Sequence, residues 1–408
     1  MATVSEFRAG WKPLIAAFVG AGCGINSIPF YTHGVFVGAI TAEYGWSRGA
    51  TQFAFSFVMM TALITAPLIG LLIDRIGTRR VALISLAAFA AMFAALSFAT
   101  TEIWTYYALW LVMAIAASGT MPITWTRTVN GWFERQRGLA LGLTLASTGV
   151  VATFAPAIAA KLIGDMGWRD AYRILGLGIA VVGLPVIYFL FHDRARPTQS
   201  VGEATISNVP GMSSHDGVRT FKFWALGIAL LLVCAGIAGL ITNLVPMLMD
   251  HGMDRPTAAS YAGIMGLSVI GGRIIGGYLI DHLWAPGVAA VFFAVPAISC
   301  YLLGGAYDPG MVWMAALFIG FTAGVEVDIL SFLTARYFGM KNYGALYGGQ
   351  FVFFAIGSGF APAVFGMAFD RVGTYQPVLI GAAAMFAISA GLILTLGKYP
   401  NFDEPVRS

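Results

Sequence analysis

Four formally charged side chains and one histidine stand inside long apolar runs: Arg127, Arg273, Glu326, Asp328 and His33. The chain is 58% hydrophobic and only 10% charged, and an ionisable group buried among apolar residues normally faces a partner or a cavity. Arg273 has the sharpest chemistry. Its guanidinium presents a planar fork of donors that matches a carboxylate in bidentate fashion, so in a low-dielectric cavity it selects organic anions. The competing use is a permanent ion pair with Glu326 or Asp328. Those acids are two residues apart, about 200° around a helix, so one is expected toward a cavity and the other toward a neighbouring helix. An acid beside an arginine is also a proton-coupling candidate, because a passing anion alters the charge pairing that sets its protonation. His33 is a further candidate, since imidazole ordinarily titrates near about pH 6.5, although a lone helical histidine is more often a packing residue.

The elements that must position these groups are long and apolar. A spanning helix needs roughly 20 such residues. Twelve stretches qualify: 13–42, 48–73, 80–100, 103–131, 137–164, 172–191, 222–250, 256–281, 286–305, 310–336, 342–369 and 376–397. The expected fold class is an all-α membrane protein of 12 transmembrane helices in two pseudo-symmetric six-helix halves, 1–193 and 222–408. The interval 194–221 is rich in Ser, Gly, Pro and mixed charge, and reads as a flexible cytoplasmic linker. The first apolar run is too long for a cleavable signal and is counted as a span. Cys23, Cys234 and Cys300 all lie in apolar runs, which suggests neither a disulfide framework nor a metal cluster. There is no phosphate loop, metal-spaced histidine set or nucleophile constellation. No enzyme activity, cofactor or nucleic-acid partner is therefore expected.

Depth follows from a rise of about 1.5 Å per residue and an apolar thickness of about 30 Å. Arg273 stands eight residues before Asp281, about 12 Å from the face that holds Asp281, and Glu326 is about 16 Å from the same face. His33 lies about 15 Å from the opposite face, so these three groups converge near the midplane. Arg127 is only about 8 Å in, where bracing of the cytoplasmic gate is favoured over substrate contact. Tyr31, Asn26, Trp125, Asn243, Tyr347 and Gln350 fall on helices expected to border the cavity. Each alone is more often core than ligand; as a set they make a pocket both aromatic and hydrogen-bonding.

The halves repeat. Gly45, Arg48, Gly70, Leu72, Ile73 and Asp74 recur 207 residues later as Gly252, Arg255, Gly277, Leu279, Ile280 and Asp281. Phe154-Ala155-Pro156-Ala157 recurs as Phe360-Ala361-Pro362-Ala363. Glycines at or near four-residue spacing, Gly138, Gly142 and Gly149 in the fifth stretch and Gly344, Gly348 and Gly359 in the eleventh, are expected to let helices approach closely. Pro29, Pro67, Pro122, Pro156, Pro246 and Pro362 are expected to kink the helices that hold them.

The turn Gly70-Leu71-Leu72-Ile73-Asp74-Arg75-Ile76-Gly77-Thr78-Arg79-Arg80 joins two spans with one acid and three arginines, and so must sit at a membrane face. Its pattern, G-x-L-x-D-R-x-G-x-R-R, resembles the signature loop of the major facilitator superfamily. That resemblance implies a gating role for Gly70, Asp74, Arg75, Gly77, Arg79 and Arg80, with Asp281 as a degraded second copy followed by His282. Lysines and arginines number fifteen on the face holding this loop and both termini, against six opposite. Both termini are therefore expected in the cytoplasm, at a bacterial-type inner membrane.

Three further stretches resemble the monocarboxylate and oxalate/formate transporter branch: Glu43-Tyr44-Gly45-Trp46-Ser47-Arg48, the run from Trp132 to Gly142, and Gly272-Arg273. In that branch the arginine engages a substrate carboxylate. Tyr343 to Gln350 resembles the oxalate transporters, but Gln350 stands where a lysine is expected, which favours a monoanion over oxalate. The resemblance implies a monomeric secondary transporter moving a small organic monocarboxylate by alternating access, with a proton exchanged at Glu326 or Asp328. Two alternatives remain: a carrier or exporter of cationic or neutral compounds, and a non-transporting membrane receptor.

Overall fold

The computed structural model describes residues 3–133, 136–192, 211–305, 308–339 and 341–400. In the first half, span 1 comprises Thr3–Gly22 and Ile28–Tyr44, span 2 comprises Arg48–Phe53 and Ser56–Ile76, and span 3 is Thr78–Ala95. Span 4 comprises Ile103–Ala116 and Pro122–Trp132, span 5 is Arg137–Met166, and span 6 runs from Trp168–Gly178 through a π-helical turn to Leu184–Leu190. In the second half, span 7 is Phe221–Asp250, span 8 is Arg255–His282, and span 9 comprises Ala285–Ala294 and Pro296–Leu303. Span 10 is Pro309–Phe338, span 11 is Tyr343–Val372 and span 12 is Gln376–Leu394. Among the described residues ten of these passages are long and apolar enough to cross a bilayer; spans 1 and 4 complete the set but are interrupted.

Those two interruptions correct the expectation of unbroken helices at 13–42 and 103–131. They also meet. Hydrocarbon offers no partner for a freed amide, so non-helical backbone at depth must be satisfied by protein. Thr120, in the break of span 4, does this: its Oγ1 accepts from Ile25 N in the break of span 1 at 3.1 Å. Its carbonyl accepts from Trp125 Nε1 at 2.8 Å. Pro29 and Pro122 each start the helix beyond a break, where a missing N–H costs nothing. The helices continue through Pro67, Pro156, Pro246 and Pro362, so those prolines do not break their spans.

The repeat is visible in backbone geometry. Gly45 and Gly252 both take left-handed φ values, 70° and 88°, in the turns that reverse the chain after spans 1 and 7. Two residues on, Ser47 and Asp254 cap the next helices by accepting from Ala50 N and Thr257 N, each at 3.2 Å. Part of the expected linker is ordered. Residues 194–210 lie outside the described residues, but Met212 N donates to Phe338 O at 2.8 Å and a short helix, Ser214–Arg219, sets Gly217 against Leu346.

The halves meet through spans 1, 2 and 5 on one side and 7, 8 and 11 on the other. Several cross-half contacts lie toward the end that carries Arg48. A Cβ on Gly34 would lie 2.1 Å from Thr242 O, and one on Gly266 would lie 2.2 Å from the Ala152 backbone. Ser56 Oγ donates to Gly359 O at 2.7 Å. Toward the Asp74 end, Gly142, Gly344 and Gly348 have nothing within 4 Å of a built Cβ, although Gly149 and Gly359 on the same helices are tightly packed. The close-approach expectation thus holds for Gly149 and Gly359 and not for Gly142, Gly344 and Gly348, while the surroundings of Gly138 lie outside what is described. Substituting Gly266 with leucine should force spans 5 and 8 apart at a cost of about 1–3 kcal/mol, lowering the thermal midpoint of the purified protein by several degrees. Gly142→Ala should leave that midpoint within about one degree, since no neighbour must move.

Candidate functional site

Spans 8 and 10 cross with their backbones nearly touching. A Cβ on Gly272 would lie 2.1 Å from Phe321 O, and one on Gly324 would lie 2.2 Å from Val269 O. This crossing places Arg273 over the bare backbone of Gly324, whose carbonyl accepts from Arg273 Nε at 3.2 Å. The same nitrogen lies 3.5 Å from Asp328 Oδ2. Nη1 is buried and has no hydrogen-bond partner among the described residues. One edge of the fork is therefore anchored, while Nη1 is not committed among the described residues.

Asp328 turns toward Arg273 and, electrostatically, toward Tyr347 on span 11; its side chain is 33% exposed. Glu326 is buried at 8% exposure, beside the Cys234 thiol of span 7 and within electrostatic reach of Arg273, with Oε2 lacking a hydrogen-bond partner. Tyr31, on span 1, is a residue of the first half that comes within electrostatic reach of both Arg273 and Glu326. Five of the residues singled out from the sequence thus gather at one place: Arg273, Glu326, Asp328, Tyr31 and Tyr347.

The others do not join them. His33 is buried among first-half rings, edge-on to Trp110 at 5.0 Å and near Phe55 at 6.1 Å. Trp125 is fully buried on Gly20 with its N–H spent on Thr120. Gln350 is fully buried and donates to Phe223 O at 2.8 Å. Asn243 is buried in the seam between halves, where its amide and that of Gln52 exchange bonds of 2.7 and 3.1 Å. In this conformation these four are packing or seam residues and do not gather with the other five.

At the Asp74 end, Arg127 forms an ion pair with Asp74 within the first half, as a brace would. Arg79 donates to Tyr188 O and lies over the Tyr188 ring at 5.2 Å, tying span 3 to span 6. Arg75 and Arg80 are exposed, Gly70 is open, and Gly77 turns the chain with φ 86°. In the second copy Trp284 stands at the position of Gly77 with φ −68°, and exposed Asp281 has no ion pair among the described residues.

Sequence reasoning missed the opposite end. Arg48 pairs with Asp250 and donates to Tyr375 Oη at 3.0 Å, its guanidinium resting 4.1 Å from the Phe369 ring centre. Asp370 accepts from Arg48 N and Gly49 N at 3.0 and 2.8 Å, capping the first helix of span 2 from span 11. The repeat carried a signal for this. Glu43 and Asp250 are equivalent, but Glu43 is taken by Arg169, and Tyr375 stands where Arg169 has its equivalent. Asp250 therefore has no cation within its own half and receives Arg48 from the other. The span 8–10 crossing was likewise readable, as Gly272, Gly276, Gly320 and Gly324 at four-residue spacing.

Two repeated six-span halves around a charged site at mid-depth define a polytopic membrane transporter fold. The chain belongs to the Major Facilitator Superfamily, whose family model matches residues 19–362. Among curated relatives it is similar to Monocarboxylate transporter 11 of Homo sapiens, 25% identical over 95% of this chain and 81% of that protein. It is also similar to the Oxalate:formate antiporter of Oxalobacter formigenes, 25% identical over 94% and 90% respectively. Among solved structures it resembles a bacterial homologue of the human lysosomal transporter Spinster in an inward-facing and occupied conformation. That likeness has a TM-score of 0.66 at 16% identity, covering 94% of this chain and 93% of the other.

Trp125→Ala should destabilise the protein by about 3–5 kcal/mol through the cavity it leaves, whereas Trp125→Phe should recover much of that loss. Thermal unfolding measures both. A role in ligand contact would instead show as weakened ligand binding by a stably folded Trp125→Phe protein.

Proposed function

We propose that this chain is an inner-membrane secondary transporter that moves a small organic monocarboxylate together with a proton by alternating access. The observation that carries the reading is the half-engaged guanidinium of Arg273, held at Nε by Gly324 and Asp328 with Nη1 buried and unpartnered. A carboxylate supplies two acceptors in the geometry of the free edge. The names of the relatives, for monocarboxylates and for oxalate and formate, support the same class. The neutral amide of Gln350, turned away to Phe223, leaves no second cation on span 11 beside the site, in keeping with a monoanion.

Glu326 is the favoured proton carrier. A buried carboxylate with an unpartnered oxygen is costly, and binding a proton removes that cost. Asp328 holds Arg273 in the empty site and yields it when a substrate carboxylate arrives. The separation of the halves at the Asp74 end, with basic residues concentrated there, supports a cytoplasm-facing open state, both termini cytoplasmic. Arg48, Asp250 and Asp370 hold the far side shut.

A second reading, transport of cationic compounds, is favoured by the unpartnered Oε2 of Glu326, which suits an ammonium group. Reconstituted uptake separates the two. Arg273→Lys should weaken carboxylate binding roughly tenfold to a hundredfold and lose most transport, because a point charge cannot replace the fork. Near-normal carboxylate uptake by that variant sinks the assignment. Glu326→Gln should keep carboxylate exchange across the membrane but lose accumulation driven by a pH gradient. Loss of amine binding in Glu326→Gln, with Arg273 variants merely unstable, establishes the second reading.

A further inference from the structure

Span 11 carries a continuous stack of rings, each only partly buried. Tyr343 and Tyr347 lie 5.6 Å apart with planes at 28°, Tyr347 and Phe351 6.5 Å apart at 23°, and Phe351 and Phe354 5.2 Å apart at 23°. The positions i, i+4, i+8 and i+11 keep all four on one face of the helix. The adjoining face is packed on the span 7 side through Leu346 and Gln350, both fully buried, while Gly344, Ala345 and Gly348 are exposed. The rings lie between those two faces and are each only partly buried. The stack borders span 10, where Tyr343 Oη donates to Ser331 O at 3.4 Å and Tyr347 feels the charge of Asp328.

The stack begins at the Asp74 end and reaches about 12–16 Å inward at Phe351 and Phe354, the same depth as Arg273 counted from Asp281. From the first half, Tyr31 comes within electrostatic reach of Arg273 and packs edge-on to Phe30 at 5.0 Å. A carboxylate on the free edge of Arg273 would have Tyr31 of span 1 within reach and, through Asp328, the span 11 stack at Tyr347. Offset or edge-to-face ring contacts favour a flat, ring-bearing body over a saturated one of the same size.

We infer that the stack Tyr343–Tyr347–Phe351–Phe354 is a selectivity wall, and that the monocarboxylate preferred by this chain carries an aromatic ring bonded directly to the carboxylate carbon or one carbon removed from it. This rests on the monocarboxylate reading above. The inner rungs, Phe351 and Phe354, hold the ring while Arg273 holds the carboxylate; the outer rungs, Tyr343 and Tyr347, line the way in. No bond is made or broken.

The experiment is thermal stabilisation of the full-length purified protein, titrated with benzoate, phenylacetate, cyclohexanecarboxylate and propionate. Apparent stability rises with ln(1 + [L]/Kd), so each titration returns an affinity. The wild type should bind benzoate or phenylacetate roughly three- to tenfold more tightly than cyclohexanecarboxylate. In Phe351→Leu and Phe354→Leu that ratio should fall toward one. Two inner rungs are tested so that a folding failure in one leaves the other informative. Equal affinity for benzoate and cyclohexanecarboxylate in the wild type, or a ratio kept in both leucine variants, overturns the wall. If all three carboxyl classes bind equally and lose binding in Arg273→Gln, the wall fails and the monocarboxylate reading stands. If no carboxylate stabilises the wild type, both fail together.

Discussion

Within hydrocarbon a backbone amide or carbonyl has no solvent to bond, and the architecture follows from that constraint. Ten passages answer it with helices long and apolar enough to span by themselves. Spans 1 and 4 break and answer it jointly, with the Thr120 hydroxyl receiving the Ile25 amide and its carbonyl receiving Trp125. The same constraint makes glycine useful at the crossing of spans 8 and 10. With no side chain between them, one helix lends a carbonyl, that of Gly324, to a side chain of the other. Arg273 is held at depth by a backbone acceptor that costs no additional buried charge.

The charged side chains of the spans divide into separate tasks. Arg127 pairs with Asp74 near one face and stabilises the turn between spans 2 and 3. Both partners are about half exposed, and such a pair contributes about 0–1 kcal/mol, so its value lies in fixing the turn more than in raw stability. Arg273, Asp328 and Glu326 form the deeper group, in which two acids share one cation and the second acid has an unpartnered oxygen. An imbalance of that kind is unfavourable at rest, and an arriving anion or proton relieves it.

The two halves descend from one pattern, yet their differences set the conformation. Where the first half has Glu43 satisfied by Arg169, the second has Tyr375 in the arginine's place and leaves Asp250 for Arg48 across the seam. Where the first half has a left-handed Gly77 and a paired Asp74, the second has Trp284 and an Asp281 with no ion pair among the described residues. One end therefore has a cross-half clamp of ion pair, helix cap and amide exchange. At the other, Gly142, Gly344 and Gly348 meet nothing.

Composition, apolar run length and the repeat by themselves determined the class, the span count and the end at which basic residues gather. These are properties of solvent and period, legible wherever a residue sits in the chain. The level shared by Arg273 and Glu326 along their helices was legible too, from residue counts, although His33, counted to the same level, lies apart from them. Which polar residues share a cavity was not. Trp125, Asn243, Gln350 and His33 lie on the right helices, but rotation and breakage of those helices turn them into packing or the seam. A break such as that at Ala117–Met121 depends on a partner about a hundred residues away, Ile25, and no local propensity encodes it. The clamp at Arg48 joins residues some two hundred positions apart, so only the packed halves decided it.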